Sequence, residues 1–407
     1  MDHRFLHTSA AFCVTLGLWA LPCVGQDYTV TDLGAFPGGE TAWAFGINDA
    51  GQIAASAMYN EASQFHHAAL WDDGVLTDLG QLGEEDFTFR SFATAINAQG
   101  HVVGGSPVPG GFGAPLDRAF LHDGTEMILL PPLSGGRRSF AFDINDNGYV
   151  VGNSGTNEIH NNKWIIHAVL WTNRSPQDLG TLGGRYSWAY AINNSHTVVG
   201  ASLLDNGPVH AFFWSDGTMT DMGTLGGASS RAWDINETGQ IVGWAQDTDA
   251  ARRAFLFEQD TMTDLGTLPG AKMSEAYGVN NAGQIVGMSW VPGQGPHAVL
   301  WDGGIALDLN DLVENNSPWT LQVARQINNS GQIVGYGRLE GVTRAFLLTL
   351  ATCAADIDGD GDTDMDDFLT YLSMWTAGDP LADWNADGTI NTQDFIAYLG
   401  DWAAGCP

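Results

Sequence analysis

Basic side chains are scarce in this sequence. Lys and Arg together number 15, against 47 Asp and Glu, and the two lysines are Lys163 and Lys272. The formal net charge is −32. A protein that binds nucleic acid needs a basic surface facing the phosphates, so this composition argues against a nucleic-acid partner. We interpret the acidity of the body of the chain as a contribution to solubility.

Long hydrophobic runs are absent after the N-terminus, which argues against a membrane span. At the N-terminus, His3 and Arg4 precede an apolar run over residues 10–22, and small residues follow near Gly25. This arrangement is typical of a secretory signal peptide, because the run is shorter than the roughly 20 residues that cross a bilayer. We therefore expect residues 1–25 to be removed and the mature protein to be secreted, either extracellular or attached to a cell surface.

Catalytic motifs are missing as well. The sequence has no Gly-x-Ser-x-Gly elbow and no histidine spacing typical of a metalloenzyme. Glu84, Glu85 and Asp86 cluster three carboxylates, but adjacent residues on one loop are poor candidates for an acid/base pair. Such a pair flanks the scissile bond at about 5 to 9 Å. The sequence therefore favours a protein without catalytic activity.

A repeat fills residues 26–350. Each unit contains D-L-G-T-L-G-G, A-x-x-I-N-x-x-G-Q-I-V-G-x-S and H-A-F-L-W-x-D-G, or close variants. One asparagine recurs every 43 to 49 residues, a period typical of propeller blades. These asparagines are Asn48, Asn97, Asn145, Asn193, Asn236, Asn280 and Asn328.

Each unit predicts four short strands separated by glycine-containing turns. The last unit stops after its third strand, at Leu348, while an additional fourth strand stands at the start of the repeat region, over residues 30–34. We therefore expect an all-β, seven-bladed propeller in which the N-terminal strand closes the last blade.

The third strand of each unit begins with a recurring tripeptide, of which His210-Ala211-Phe212 and Arg253-Ala254-Phe255 are examples. Together with Arg118-Ala119-Phe120 and Arg344-Ala345-Phe346, these segments resemble the extracellular HAF repeat family over roughly residues 28–350. The resemblance implies an exported, propeller-like protein and no agreed chemistry.

Residues that recur in every unit are better candidates for structure than for catalysis. The histidine position, which holds His67, His167, His210 and His297, holds arginine in other units, and a metal site would not accept that exchange. The Asp of Asp178-Leu179-Gly180 and its equivalents is expected to tie the fourth strand to a neighbouring blade. The recurring tryptophans are expected to pack between blades; these are Trp71, Trp171, Trp214 and Trp301.

Function is therefore expected where the repeat is irregular. Loops between the second and third strands are longer in the first three units, and they emerge on the same face as the connections between units. Aromatic and polar residues on these loops suit a polysaccharide or protein ligand, and surface-loop drift is the alternative. The candidates on this ligand face are Tyr59, Glu84, Glu85, Asp86, Arg90, Phe112, Arg137, Arg138, His160, Lys163 and Trp164.

Residues 353–407 contain the same calcium-loop pattern twice, 27 residues apart. Oxygen-bearing residues stand at loop positions 1, 3, 5, 7, 9 and 12, with glycine at position 6, and Ca²⁺ prefers such oxygen ligands. The first loop offers Asp356, Asp358, Asp360, Asp362, Asp364 and Asp367. The second offers Asp383, Asn385, Asp387, Thr389, Asn391 and Asp394. We therefore expect two bound Ca²⁺ ions.

A short helix is predicted after each loop, because Phe368, Leu372 and Trp375 recur at the helical spacing and again 27 residues later. Cys353 and Cys406 bracket the module. In an exported protein this position favours a disulfide, with a pair of free thiols as the alternative.

A duplicated half EF-hand with Asp at position 12 resembles the type I dockerin module, and the ending Gly405-Cys406 resembles its GC-type form. The resemblance implies a cohesin-like or other surface-anchoring receptor, bound through loop positions 10 and 11. In this sequence the partner-binding residues are Met365, Asp366, Thr392 and Gln393. The two pairs differ from each other, which argues against symmetric docking in two orientations.

Taken together, these features predict a secreted, non-catalytic binding or scaffold protein, in which a propeller platform is held to a partner by a calcium-dependent tail. Because the dockerin resemblance implies the company of polysaccharide-degrading assemblies, a carbohydrate-active enzyme is the second hypothesis, either a glycoside hydrolase or a polysaccharide lyase. A structural component of a surface layer is the third.

Overall fold

The computed structural model describes residues 28–59, 65–82, 90–108, 116–160, 163–205, 207–314, 317–351, 355–358 and 363–404. The expected signal peptide lies outside these residues. The described part of the chain forms a β-propeller followed by two α-helices. None of its helices is long and apolar enough to cross a membrane.

Four blades are antiparallel sheets of four consecutive strands. The first blade comprises β2 (Ala42–Ile47), β3 (Ile53–Met58), β4 (His66–Asp72) and β5 (Val75–Gly80). The second comprises β6 (Phe92–Ile96), β7 (Val102–Val108), β8 (Leu116–His122) and β9 (Met127–Leu130). The other two comprise β18 (Gly226–Ile235), β19 (Ile241–Asp247), β20 (Arg252–Glu258), β21 (Thr261–Asp264), and β22 (Met273–Val279), β23 (Ile285–Val291), β24 (Gly295–Asp302), β25 (Ile305–Asp308).

The fifth four-stranded blade joins the two ends of the propeller. It contains β26 (Trp319–Ile327), β27 (Ile333–Leu339), β28 (Val342–Leu350) and the N-terminal strand β1 (Tyr28–Asp32). Strand β1 pairs antiparallel with β28, from Tyr28 opposite Leu350 to Asp32 opposite Phe346. The predicted placement of the N-terminal strand in the last blade is therefore confirmed.

The prediction of seven separate blades is wrong. The structure has five four-stranded blades and one eight-stranded sheet where two further blades were predicted. That sheet contains β10 (Ser139–Ile144), β11 (Val150–His160), β12 (Lys163–Thr172), β13 (Ser175–Asp178), β14 (Gly183–Ile192), β15 (Val198–Leu204), β16 (Val209–Ser215) and β17 (Thr218–Asp221). The physical reason is the length of the hairpin β11–β12, because β12 extends beyond β13 and Ile166 bridges in parallel to Tyr186 of β14.

The innermost strand of every unit contains a register shift against its neighbour. In β10 this β-bulge lies between Ala141 and Asp143, so Phe142 is the additional residue. The same shift occurs in β2, β6, β14, β18, β22 and β26. A bulge redirects the side chain of the additional residue. On the opposing strand the backbone comes so close that a Cβ on Gly152 would lie 2.0 Å from the carbonyl oxygen of Phe140, which explains the recurring Val-Gly.

The core consists of separate hydrophobic layers between neighbouring inner strands and sheets. Trp171, which is 1% exposed, packs with Val103 and Ala119 of the preceding blade. Its indole Nε1 donates a 2.7 Å hydrogen bond to the carbonyl of Pro131. Trp301 packs in the same way with Val242 and Ala254. Packing of these two tryptophans between blades is therefore confirmed.

Both predicted tail helices are present, as α1 (Met365–Ala377) and α2 (Thr392–Ala404). Asp364 caps α1 in a reciprocal capping box with Asp367, and the helix ends at Gly378, whose φ is 69°. The helices pack through Tyr371 and Tyr398, whose stacked rings have centroids 3.8 Å apart. Both tyrosines are 0% exposed, so the duplicated units share one small aromatic core.

Candidate functional site

The repeated asparagines form a closed ring of hydrogen bonds around the propeller axis. The side-chain amide of Asn48 donates to the backbone carbonyl of Asn97 at 3.0 Å, and the pattern continues until Asn328 donates to the carbonyl of Asn48 at 3.1 Å. The other links are Asn97 to Asn145, Asn145 to Asn193, Asn193 to Asn236, Asn236 to Asn280 and Asn280 to Asn328. All of these asparagines are buried. Their role is structural, as their repetition predicts.

The repeated histidines are also structural, because each bonds an aspartate of its own unit. His167 on β12 bonds the carboxylate of Asp178 on β13 at 2.8 Å, and that carboxylate also accepts the backbone N–H of Gly180. His67, His210 and His297 make the equivalent contact. The expectation that Asp178 ties its strand to a neighbouring blade is therefore wrong, because its carboxylate stays within one hairpin. Burial and the His167 hydrogen bond act in opposite directions, and the net pKa of Asp178 is lowered.

The bulge residues line one end of the axial channel and form a collar there. The collar consists of Phe45, Thr94, Phe142, Tyr190, Trp233, Tyr277 and Arg325. The ring of Tyr190 lies 5.2 Å from Phe142 and 4.4 Å from Trp233, measured between centroids. Trp233 in turn lies 6.2 Å from Tyr277. Aromatic side chains therefore form a continuous wall on this side of the channel.

Two arginines lie against this wall. The guanidinium of Arg325 is 4.6 Å from the ring centroid of Tyr277 and 5.7 Å from that of Phe45. The guanidinium of Arg231 is 5.8 Å from Trp188 and 6.0 Å from Trp233, and it donates a 3.2 Å hydrogen bond to the hydroxyl of Tyr190. All four distances to the rings lie within the range of cation–π contacts.

The carboxylate of Glu275 lies behind the aromatic wall at Tyr277. The hydroxyl of Tyr277 donates to this carboxylate at 3.0 Å, and Arg252 pairs with the same carboxylate at 2.7 Å. Burial, followed by the negative charge of Glu275, raises the pKa of the Tyr277 phenol. The phenol is therefore neutral and acts as a hydrogen-bond donor at physiological pH.

Two carboxylates lie one residue beyond the collar, at Asp143, which is half-buried, and at Asp234, which is buried. Each accepts a backbone N–H from the next inner strand, Asp143 from Ile192 at 2.8 Å and Asp234 from Val279 at 2.9 Å. Asp234 also accepts from Gln326 at 3.2 Å. Burial raises the pKa of Asp143 to about 7 and that of Asp234 to about 6, and repulsion from Asp234 adds to the shift of Asp143.

The channel has two chambers that share these carboxylates. One, of about 110 Å³, is lined by the collar together with Asp143, Asp234 and Gln326. The other, of about 340 Å³, extends toward the asparagine ring. In the second chamber the polar side chains bond the backbone of neighbouring units, as Asp49 does with the N–H of Asn329 at 2.9 Å. The collar chamber is therefore the one whose lining differs most from unit to unit.

The predicted ligand face is divided into local groups. Tyr59 stacks on His67 at 4.7 Å, and Arg90 lies 5.8 Å over the ring of Phe65. Arg138 approaches Asp117 at 4.0 Å. The first two groups are joined, because the backbone N–H of Tyr59 donates to the carbonyl of Phe65 at 2.9 Å. Arg137 is an exposed residue of the connection that precedes β10.

Other predicted residues belong to the long hairpin β11–β12. His160 bonds Arg185 at 3.0 Å, and Trp164 lies opposite Ile159. Lys163 is the first residue of β12. Glu84, Glu85, Asp86 and Phe112 lie outside the described residues. The ligand face therefore stays a prediction.

The first tail loop brings carboxylates together. Oxygens of Asp356, Asp358 and Asp367 all lie within 4.8 Å of one another. The carboxylate of Asp367 accepts the backbone N–H groups of Ile357, Asp358 and Asp364. Although burial opposes the effect, these bonds lower the pKa of Asp367. Asp360 and Asp362 lie outside the described residues, as do Cys353 and Cys406.

The second loop repeats the backbone contacts of the aspartate at position 12. Asp394 accepts from the backbone of Asn391 at 2.7 Å and of Asn385 at 3.2 Å, and these bonds lower its pKa. Asp383 accepts from Asp387 and Gly388, whose φ of 86° explains the glycine at position 6. The other predicted ligands of this loop, Thr389 and Asn391, bond each other. The predicted partner residues Met365, Asp366, Thr392 and Gln393 are all exposed at the starts of the two helices.

Sequence reasoning missed the collar because it searched the irregular loops. A signal was present inside the repeat. Each unit has a constant Ala, then two residues, then a constant Ile-Asn or Val-Asn. The two residues between them vary among the units, for example Phe142-Asp143, Tyr190-Ala191 and Trp233-Asp234. Variation at fixed positions of an inner strand indicates a lining that is free of the repeat's packing constraints.

Several solved structures are similar to this chain. No curated protein matches the sequence. The β-propeller domain of the Trilobed protease from Pyrococcus furiosus is similar, with 12% identity, a TM-score of 0.48, and coverage of 67% of this chain and 81% of that chain. A gluconolactonase from Xanthomonas campestris has 11% identity and a TM-score of 0.38, and Aleuria aurantia lectin has 11% and 0.35; both comparisons cover 81% of this chain and 96% of the other. At these identities the likeness concerns the fold alone.

A family model described as "Protein of unknown function (DUF3466)" matches residues 137–344, which is more than half of the 407-residue chain. The match extends from the connection before β10 to β28 and thus includes the eight-stranded sheet and five of the collar residues. The chain therefore belongs to the DUF3466 family.

Proposed function

We propose that this is a secreted, non-catalytic binding or scaffold protein, whose propeller is held to a partner by a calcium-dependent, dockerin-like tail. The observation that carries the proposal is the duplicated loop-and-helix unit. Position 12 of each loop is a fully buried aspartate, Asp367 or Asp394, that accepts backbone N–H groups from its own loop. The described residues of the two loops thus share the same backbone contacts at position 12.

The donor set fits Ca²⁺. Asp356, Asp358 and Asp367 offer only hard oxygen atoms, which lie within 4.8 Å of one another. Bound calcium would neutralise part of this charge and so favour the closed loop. Repulsion between the carboxylates opposes the same geometry when no cation is bound.

The surface for a partner is the exposed start of the two helices. Met365 is 58% exposed and Leu369 is 53% exposed on α1, and Ile396, which is equivalent to Leu369, is 65% exposed on α2. Exposed apolar side chains beside Asp366 suit a cohesin-like or other surface-anchoring receptor. Since Met365-Asp366 and Thr392-Gln393 differ, the receptor is expected to bind in one preferred orientation.

Calorimetry on the chain from residue 26 onward tests the tether. We expect two calcium sites with dissociation constants of about 10⁻⁷ to 10⁻⁴ M. Asp358→Ala combined with Asn385→Ala, which removes position 3 of both loops, should weaken binding at least about tenfold. Asp249→Ala, an exposed carboxylate in a propeller turn, is the matched control and should change nothing. Absence of calcium binding at about 1 mM would refute the proposal, because even weak extracellular modules bind in that range.

A pull-down from cell-surface extracts tests the receptor. The intact protein should capture a partner with calcium and release it with a chelator. Leu369→Asp should reduce capture while leaving calcium affinity unchanged, since Leu369 is exposed and offers no metal ligand. Capture that persists in chelator, or that is unaffected by this substitution, would contradict the calcium-dependent docking surface.

Polysaccharide degradation is the second candidate function, and one observation favours it. Asp143 and Asp234 are carboxylates in a cavity with pKa values raised to about 7 and about 6, a property that is frequent among catalytic acids. Incubation with a polysaccharide panel tests this candidate. Release of new reducing ends by the wild type and not by Asp143→Asn would favour the enzyme over the binding protein.

A further inference from the structure

We propose that the collar chamber binds one neutral, polyhydroxylated ring, such as a pyranose unit at the end of a saccharide. This inference deepens the proposed binding role and rests on it, because it gives the platform a ligand site. It does not depend on the tail.

Every unit contributes one residue to the collar in the same way. A β-bulge in each inner strand places one additional residue at the collar, from Phe45 in β2 to Arg325 in β26. The preceding alanine and the asparagine ring are constant, whereas the bulge residue is Phe in two units, Tyr in two units, and Trp, Thr or Arg in the others. Bulges are frequent beside binding sites because they redirect a side chain without changing the rest of the strand.

The charged side chains around the chamber favour a neutral ligand. Arg325 already occupies the cation position over Tyr277, and Arg231 lies over Trp188 and Trp233. A cationic ligand would be repelled by these guanidinium groups. An anionic ligand would meet Asp143 and Asp234 at the inner end of the chamber. A neutral ligand avoids both repulsions.

The lining of the chamber contains both hydrogen-bond donors and hydrogen-bond acceptors. Asp143, Asp234 and the amide oxygen of Gln326 accept, while the guanidinium of Arg325 donates, and all four side chains line the chamber. The indole N–H of Trp233 is buried with no acceptor among the described residues, and a small rotation of that ring would bring it to a ligand oxygen. Hydroxyl groups both donate and accept, so several of them on one ring satisfy this mixed lining. The C–H faces of the same ring match the aromatic wall.

The size of the chamber sets the number of rings. Its volume of about 110 Å³ is below the roughly 300–1,000 Å³ of pockets that hold drug-sized ligands. One ring fits this volume better than an oligosaccharide threaded along the axis. At its inner end the chamber is lined by Asp143, Asp234 and Gln326, which it shares with the second chamber. Recognition of a chain end is therefore expected, rather than recognition along a chain.

The experiment uses the chain from residue 26 onward with a set of methyl pyranosides: glucoside, galactoside, mannoside, xyloside and fucoside. Saturation-transfer NMR and tryptophan fluorescence report binding. We expect at least one pyranoside to bind with a dissociation constant between about 10 µM and 10 mM. Trp233→Leu should weaken that binding about tenfold or more, whereas Trp290→Leu, whose side chain is 45% exposed outside the channel, should leave it unchanged.

A second variant guards against misfolding of Trp233→Leu. Asp143→Asn keeps an oxygen for the N–H of Ile192 and should weaken the same pyranoside about fivefold or more, with the circular dichroism spectrum unchanged. No binding of any pyranoside at about 20 mM, or equal affinity in all variants, would overturn the inference. So would preferential binding of tetramethylammonium or acetate. Calcium binding measured on the same samples separates this failure from failure of the proposed tether.

Discussion

The carboxyl group of Asp143 makes the stability of the propeller depend on pH. Burial raises its pKa from 3.8 to about 7, with the Ile192 N–H opposing the shift and Asp234 adding to it. Between about pH 4 and pH 7 the folded protein therefore holds a proton that the unfolded chain has released. Because the folded state binds more protons in this window, the free energy of unfolding falls as pH rises through it.

Asp143→Asn should reduce this slope. The amide is neutral at every pH and still offers an oxygen to Ile192, so the variant should gain at least about 1 kcal/mol relative to wild type between pH 4.5 and pH 7.5. Asp234, whose pKa is raised to about 6, leaves a residual slope. Urea unfolding at both pH values measures the effect. Asp260→Asn in an exposed turn is the control, and an unchanged slope in Asp143→Asn would contradict the assignment.

Single residues were predictable where the repeat or a motif marked them. The structural role of Asn145 followed from its recurrence, and the turn at Gly388 from its loop position. Asp143 and Trp233 were not predicted, because the sequence does not show which strand residue a bulge directs into the channel. That direction depends on the register between β10 and β11, which forms only with the sheet.

Neighbouring units are tied by serines that lie in the inner strands or just before them. The hydroxyl of Ser187 accepts the backbone N–H of Ala168 at 2.8 Å and donates to the carbonyl of Gly180 at 2.6 Å. Ser91 and Ser230 make the same pair of contacts. One fully buried side chain therefore joins an inner strand to two segments of the preceding unit.

Ser187→Ala should destabilise the propeller by about 1–3 kcal/mol, because it leaves the N–H of Ala168 buried without a partner. Ser175→Ala, an exposed position of β13 in the same eight-stranded sheet, should stay within about 0.5 kcal/mol of wild type. Chemical denaturation of both variants gives the comparison. Equal losses would mean that the Ser187 contacts contribute nothing specific.

The strands were predictable from the sequence, but their division into separate sheets was not. The alternation of apolar strands with glycine turns predicted the strands, and the 27-residue register predicted both tail helices. The joined sheet arises because β12 runs ten residues, Lys163–Thr172, and bridges to Tyr186 in the first strand of the next unit. The sequence shows a longer loop there but not that its residues continue the hairpin.

The whole molecule is closed at the β1–β28 seam, which connects residues more than 300 positions apart in the chain. The seam has the side-chain hydroxyl of Thr29 donating to the carbonyl of Thr349 at 3.2 Å, across a separation of 320 residues. Tyr28, which is 1% exposed, donates its backbone N–H to Leu312 at 2.6 Å. Without β1, the edge of β28 would be open to pairing with other chains.

A disulfide across the seam tests this closure and its register. Thr29 and Thr349 lie directly opposite each other, at a separation where two cysteines can bridge. Thr29→Cys with Thr349→Cys should therefore form a disulfide that mass spectrometry locates, and it should stabilise the propeller by about 2–4 kcal/mol. Thr31→Cys with Thr349→Cys is the matched control, because Thr31 lies opposite Leu347 and is out of register by two residues. Efficient bridging of both pairs would mean that the N-terminal strand slides or is unpaired, and bridging of neither would mean that the last blade is closed in another way.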